Sequence, residues 1–169
     1  IDLAEKFGIT EYPNPAGGCI LTDPNLGARI EKFYQGHLQD KTSDFLVNDI
    51  RLLLVGRQFR LPGGYWFILG RNQIENEKIL SLADKDDAVM HMCERPGPTG
   101  LLRRAGMKIS GTPSANEMIK QAAGLVVRYG QKVDGVMLPA EMSLALDIER
   151  TMVLAEPLTD DQFGQCSKM

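Results

Sequence analysis

The sequence predicts an α+β fold, a helical N-terminal segment followed by a small mixed or antiparallel sheet packed with two helices. Three observations carry this. Apolar residues recur at helical spacing over residues 24–37 and 114–130. Residues 57–69 alternate in polarity or turn apolar on either side of Pro62-Gly63-Gly64, the pattern of a β-hairpin. Short apolar runs bounded by turn residues fill most of the remainder.

Taken in order, Ile1, Leu3, Ala4 and Phe7 have helical spacing and read as the tail of a helix ended by Gly8. Tyr12-Pro13-Asn14-Pro15-Ala16-Gly17-Gly18-Cys19 excludes regular structure and presents a thiol just ahead of a helix start. There Asp23 is an N-cap with Pro24 at the first helical position, and Leu26, Ile30, Phe33 and Tyr34 continue the stripe toward His37. Leu46, Ile50, Leu53 and Leu54 form a second stripe, capped by Ser43 or Asp44 and closed by Gly56.

After the hairpin, Asn72 caps a helix with Glu75 at its third position, and Ile74, Ile79 and Leu82 supply its buried side. Ala88-Val89-Met90-His91-Met92-Cys93 has strand composition, and Pro96-Gly97-Pro98-Thr99-Gly100 reads as a rigid loop. Ser114 with Glu117 is a capping box opening the longest apolar stripe, which runs through Met118, Ile119, Ala122 and Val126 to Gly130. Residues 136–138, 144–148 and 152–155 read as closing strands, and the polar tail from Thr159 as loose. Three units follow: a helical segment over 1–56, a sheet domain over 57–158 and the tail over 159–169.

Composition narrows the function classes. A chain of 169 residues, 43% hydrophobic and 24% charged, with a net charge of −3, is one globular domain or two small ones, which excludes a disordered or collagen-like protein. No apolar run approaches the roughly 20 residues of a membrane span, and no basic-then-apolar start marks a signal peptide, so a cytoplasmic location and no membrane partner are expected. The chain opens at Ile1 inside a helical pattern, which points to a piece of a longer protein. Cys19, Cys93 and Cys166 are widely separated and odd in number, so neither a disulfide framework nor a zinc knuckle can be built from them alone.

The net charge hides an asymmetry. Residues 51–108 hold ten Lys/Arg against six Asp/Glu, so the rest of the chain carries minus seven. Arg51, Arg57, Arg60 and Arg71 share one stretch without a carboxylate, and Arg95, Arg103, Arg104 and Lys108 share another. Both flank apolar or aromatic strand residues, the combination that grips phosphate beside a stacking surface.

Single candidates for chemistry are few. Cys19 sits in a glycine-rich loop ahead of a capped helix, where backbone amides and the helix terminus can stabilise a thiolate; the alternative is a small buried apolar side chain. Cys93, after an apolar strand, reads as core, and Cys166 as incidental to the tail. His91 lies in an otherwise apolar strand and His37 at a helix end, and neither has a sequence neighbour that would make a nucleophilic triad. The glycine pairs lack the rest of a phosphate-loop pattern.

Two stretches resemble known families. Leu3-Ala4-Glu5-Lys6-Phe7-Gly8-Ile9, followed by Pro15-Ala16-Gly17-Gly18-Cys19-Ile20-Leu21-Thr22-Asp23, is similar to the segment after the nucleotide-binding domain in PP-loop proteins related to tRNA thiouridine synthases. That resemblance implies a parent chain that uses ATP and magnesium to activate a tRNA uridine for sulfur insertion. Cys19 then matches a cysteine that carries sulfur or ligates an iron–sulfur cluster. Gly70-Arg71-Asn72 with Glu75-Asn76, Asp87-Ala88-Val89-Met90-His91, Pro96-Gly97 and the helix from Ser114 together resemble the NFACT-R RNA-binding domain. Val89 stands where that family's pattern has tryptophan, and Pro98-Thr99 where it has Ser-His.

The reading is an RNA-binding C-terminal module of a tRNA-thiolating PP-loop enzyme, not catalytic alone and holding no cofactor of its own. Its partners would be tRNA or another structured RNA, the upstream PP-loop domain and a second copy in a homodimer. The RNA-contact residues expected are Arg57, Arg60, Arg71, Asn72, His91, Arg95, Arg103 and Arg104, with the arginines on phosphate and Asn72 fixing a helix start. Two alternatives stand beside it: a thiol, redox or iron–sulfur role centred on Cys19, and a non-catalytic domain that docks on protein or on the ribosome.

Overall fold

The computed structural model describes Lys6 and residues 24–39, 46–106 and 114–169. The Ile1–Phe7 pattern, Cys19 with its loop, and the Ser43 and Asp44 caps lie outside the described residues. Helix α1 (Pro24–Gln39) carries His37 within it, and α2 (Val47–Leu53) follows. Next come β1 (Arg57–Arg60), a 3-10 turn (Pro62–Gly64), β2 (Trp66–Leu69), α3 (Gln73–Leu82), β3 (Ala88–Met92) and β4 (Gly100–Leu102). The chain closes with α4 (Ser114–Arg128), β5 (Ala140–Leu146), β6 (Glu149–Ala155), α5 (Asp160–Gly164) and β7 (Ser167–Lys168).

Among the described residues seven strands form one antiparallel sheet in the order β6-β5-β3-β4-β2-β1-β7. The architecture is α+β as expected, with a larger sheet than expected. Two of its strands had no counterpart in the sequence reading: β4, three residues long, and β7. Conversely, residues 136–138 form no strand; Val136 only bridges back to Val133 across a tight turn.

Strand alternation sorts the core into two layers. Phe59, Phe67, Leu69, Met90, Leu102, Met142 and Leu144 face α4, whose Ala122, Leu125 and Val126 are fully buried. The opposite face presents Trp66, Ile68 and Leu101 to α1, α2 and α3 through Leu26, Phe33, Leu52, Leu53, Ile79 and Leu82. The rings of Phe33 and Trp66 meet at 4.7 Å, and Trp66 Nε1 donates to Gln58 Oε1 at 2.6 Å. Gln58 in turn donates to the carbonyls of Leu52 and Val55, satisfying a buried amide while stitching α2 to the hairpin. The helical segment therefore shares its core with the sheet.

Two expectations about burial are corrected. Ile74 is 79% exposed, because α3 turns its Ile79 and Leu82 side to the sheet. The tail from Thr159 is ordered: Thr159 caps α5, Phe163 packs on Phe59 and Tyr129, and β7 extends the sheet beside β1.

Candidate nucleic-acid interface

Beyond the end of β2 the chain must reverse into α3, and Gly70-Arg71-Asn72-Gln73-Ile74-Glu75-Asn76 does this with its own side chains. Asn72 accepts from the Glu75 amide at 2.9 Å, the N-cap expected of it. Glu75 reaches back to the Arg71 amide at 2.8 Å and pairs with the Arg71 guanidinium through Nε and Nη2. That hydrogen bond holds the Glu75 carboxyl below the usual glutamate range and raises Arg71. Arg71 remains about half exposed, at 48%.

The loop after β3 is bound to this turn. Gly70 donates its amide to Thr99 O at 3.0 Å, and Thr99 donates its own to Asn76 Oδ1 at 2.9 Å. A Cβ on Gly70 would fall inside the Asn76 side-chain oxygen, which is why only glycine fits there. Arg95 leaves the same loop and donates to the carbonyls of Leu138 and Pro139. Arg57 stands over the Tyr129 ring at 4.9 Å and donates to Gly70 O at 3.4 Å. Among the described residues the hydrogen-bond partners of Arg57 and Arg95 are neutral carbonyls, and the exposed Glu94 is the next residue to Arg95.

Sheet register decides which of the eight expected residues meet. Leu69 and Met90 both pair with Gly100, so the chain leaving β2 and the chain leaving β3 emerge at one end of the sheet. Arg57, Arg71, Asn72 and Arg95 all lie at that end, Arg57 and Arg71 beside each other at Gly70 and Arg95 across the sheet next to the start of β5, with His91 exposed on β3. Arg60, Arg103 and Arg104 lie toward the opposite end, next to Trp66 or beyond Leu102. Arg103 is 4% exposed, with Nε on Asp49 at 2.8 Å and Nη1 on Asp87 at 2.6 Å. Arg104 joins Asp49 through Nη2 and donates its amide to Asp87. These two guanidinium groups tie α2 to the sheet interior, so the single arginine surface expected from sequence is reduced to one end.

The cysteines also change places. Cys93 is exposed, while Cys166 is buried, and burial pushes its thiol pKa up. Among the described residues no group of three or more His, Cys, Asp or Glu side chains could hold a metal ion, and no helix is long and apolar enough to cross a membrane. The Asn76–Thr99 tie went unread because its partners are 23 residues apart; the Glu75-Asn76 pair within the motif was its only sequence signal.

Residues 56–165 match the family model described as the NFACT protein RNA binding domain, well over half of the chain. The chain belongs to the NFACT RNA-binding domain family. This NFACT domain also resembles the C-terminal of the fibronectin/fibrinogen-binding protein from Streptococcus suis, with a TM-score of 0.52 at 12% identity. The likeness covers 81% of this chain and spans 60% of that one, and at such identity it speaks for the fold alone. No curated protein matches the sequence. The NFACT family pattern maps onto one connected element here, because its Gly-Arg-Asn turn and its Pro-Gly loop are joined by the Gly70–Thr99 and Asn76–Thr99 hydrogen bonds.

Proposed function

We propose that this NFACT domain holds RNA across the end of the sheet that carries Arg57, Arg71 and Arg95, with His91 alongside, as the RNA-engaging part of a cytoplasmic PP-loop tRNA-thiolating enzyme. The observation that carries it is that these three arginines share one end of the sheet, in a chain whose family binds RNA. Arg71 is pre-set by Glu75, so little side-chain entropy is lost when it meets a phosphate. The tRNA and PP-loop part of the reading draws on the Pro15-Ala16-Gly17-Gly18-Cys19 string. In it the ATP- and magnesium-dependent chemistry belongs to an upstream domain, and Cys19 is a sulfur carrier or an iron–sulfur ligand.

Filter binding of the domain to unmodified tRNA across a salt series tests the interface. Arg57→Gln with Arg71→Ala should weaken binding about tenfold or more and flatten the salt slope, whereas Arg51→Ala, exposed in the last turn of α2, should leave both unchanged. No salt-dependent association of the wild type would end the proposal.

A further inference from the structure

Among the described residues, half of one sheet face has no helix on it. Where β1, β2 and β4 are covered by α1, α2 and α3, with Val89 at the edge of that cluster, the continuation of the same face from His91 across β5 and β6 is exposed. The pairing register places Val89 opposite Ala145 and Ala145 opposite Arg150, then His91 opposite Ser143 and Ser143 opposite Met152, and last the exposed Glu141 opposite Leu154. Side chains on such a face stand about 5 Å apart across strands and about 7 Å apart along them. Met152 is 52% and Leu154 72% exposed on β6, where a solvent-facing strand would ordinarily show polar groups. Among the described residues neither the Arg150 nor the His91 side chain has a hydrogen bond or an ion pair.

Resting on the RNA reading above, we propose that this open half-face receives the bases of an unpaired RNA segment, with Met152 and Leu154 against base faces and His91, Ser143 and Arg150 toward base edges or phosphate. Three features select that occupant. The face starts at His91, one strand away from Thr99 and hence from the turn that carries Arg71, so a strand held there runs onto it. Among the described residues the register places one cation on the face, Arg150, and one carboxylate, Glu141, a charge density that suits a single strand with exposed bases better than two paired backbones. The His91–Ser143 pair at the centre would be left without partners under a dry protein surface, whereas base edges offer both donors and acceptors.

The test is fluorescence anisotropy of the whole chain with a labelled single-stranded 12-nucleotide RNA and with the same sequence as a duplex. The single strand should bind at least about tenfold tighter, and Met152→Glu or Leu154→Glu should weaken it about tenfold while leaving the thermal melt unchanged, as substitutions at exposed sites do. Equal or tighter duplex binding overturns the proposal. So do β6 variants that bind the single strand like wild type while Arg71→Ala loses it, which would leave the arginine end as the RNA site. A wild-type dimer in sedimentation that Met152→Glu dissociates would assign the face to a second copy and overturn it as well. Absence of binding to any RNA would remove the function proposed above together with this face.

Discussion

The Asn76 side-chain oxygen accepts the Thr99 amide at 2.9 Å and fills the space that a Cβ on Gly70 would need. One interaction therefore fixes two loops and the identity of a third residue. Gly70→Ala should displace Asn76 and leave the Thr99 amide unpaired, costing about 1–3 kcal/mol in urea unfolding. Asn76→Ala should cost a similar amount. In the double variant Gly70→Ala should add little, because the clash is already gone; additive losses would show that the two residues act separately.

Asp49 lies on α2, and Arg103 and Arg104 lie beyond the sheet, all with side chains nearly inaccessible to water. Asp49→Ala should be strongly destabilising, by about 3–5 kcal/mol, because it leaves Arg103 and Arg104 short of counter-charge in the interior. Replacing Asp49, Asp87, Arg103 and Arg104 together by apolar residues of similar volume, which leaves no charge of the cluster unpaired, should be better tolerated. Denaturation midpoints of the single and quadruple variants compare the two.

Glu75 titrates below its ordinary range because Arg71 holds it. Its folded pKa is depressed, so the stability it contributes is present above the unfolded value and is lost as pH falls through the folded one. In Arg71→Ala the Glu75 pKa should rise toward the ordinary glutamate range, followed by carboxyl-carbon NMR titration. An unmoved Glu75 would mean that the pair is not formed in solution.

Phe163 joins α5 to Phe59 and Tyr129, and Arg128 and Lys168 lie over its ring at 4.5 and 5.6 Å. Phe163→Ala should cost about 1–2 kcal/mol, as for a partly buried aromatic side chain. Removing residues 159–169 should further speed amide hydrogen exchange in β1, which loses β7 as its neighbour. Unchanged exchange would place the tail outside the cooperative unit.

Much of the local structure was legible in the residues themselves. The Asn72 cap with Glu75, the hairpin around Pro62-Gly63-Gly64 and the long helix α4 are decided within a few residues, because capping and periodicity act over one turn or one pleat. The Gly-Arg-Asn and Pro-Gly blocks also pointed to the RNA-binding family before any contact was known. What the sequence could not rank was which charges face water. Arg71 and Arg103 look alike in a charge count, yet one is half exposed and the other buried between two carboxylates 54 and 16 residues away. Cys93 and Cys166, Ile74 and the tail were misplaced for the same reason, since burial depends on what packs from elsewhere in the chain. By itself the sequence determined the Asn72 cap, the β1–β2 hairpin, the long helix α4 and the family. The strand order β6-β5-β3-β4-β2-β1-β7 decided which arginines meet, which are consumed as internal ties and which half of a face stays open, because pairing between distant strands sets those neighbours.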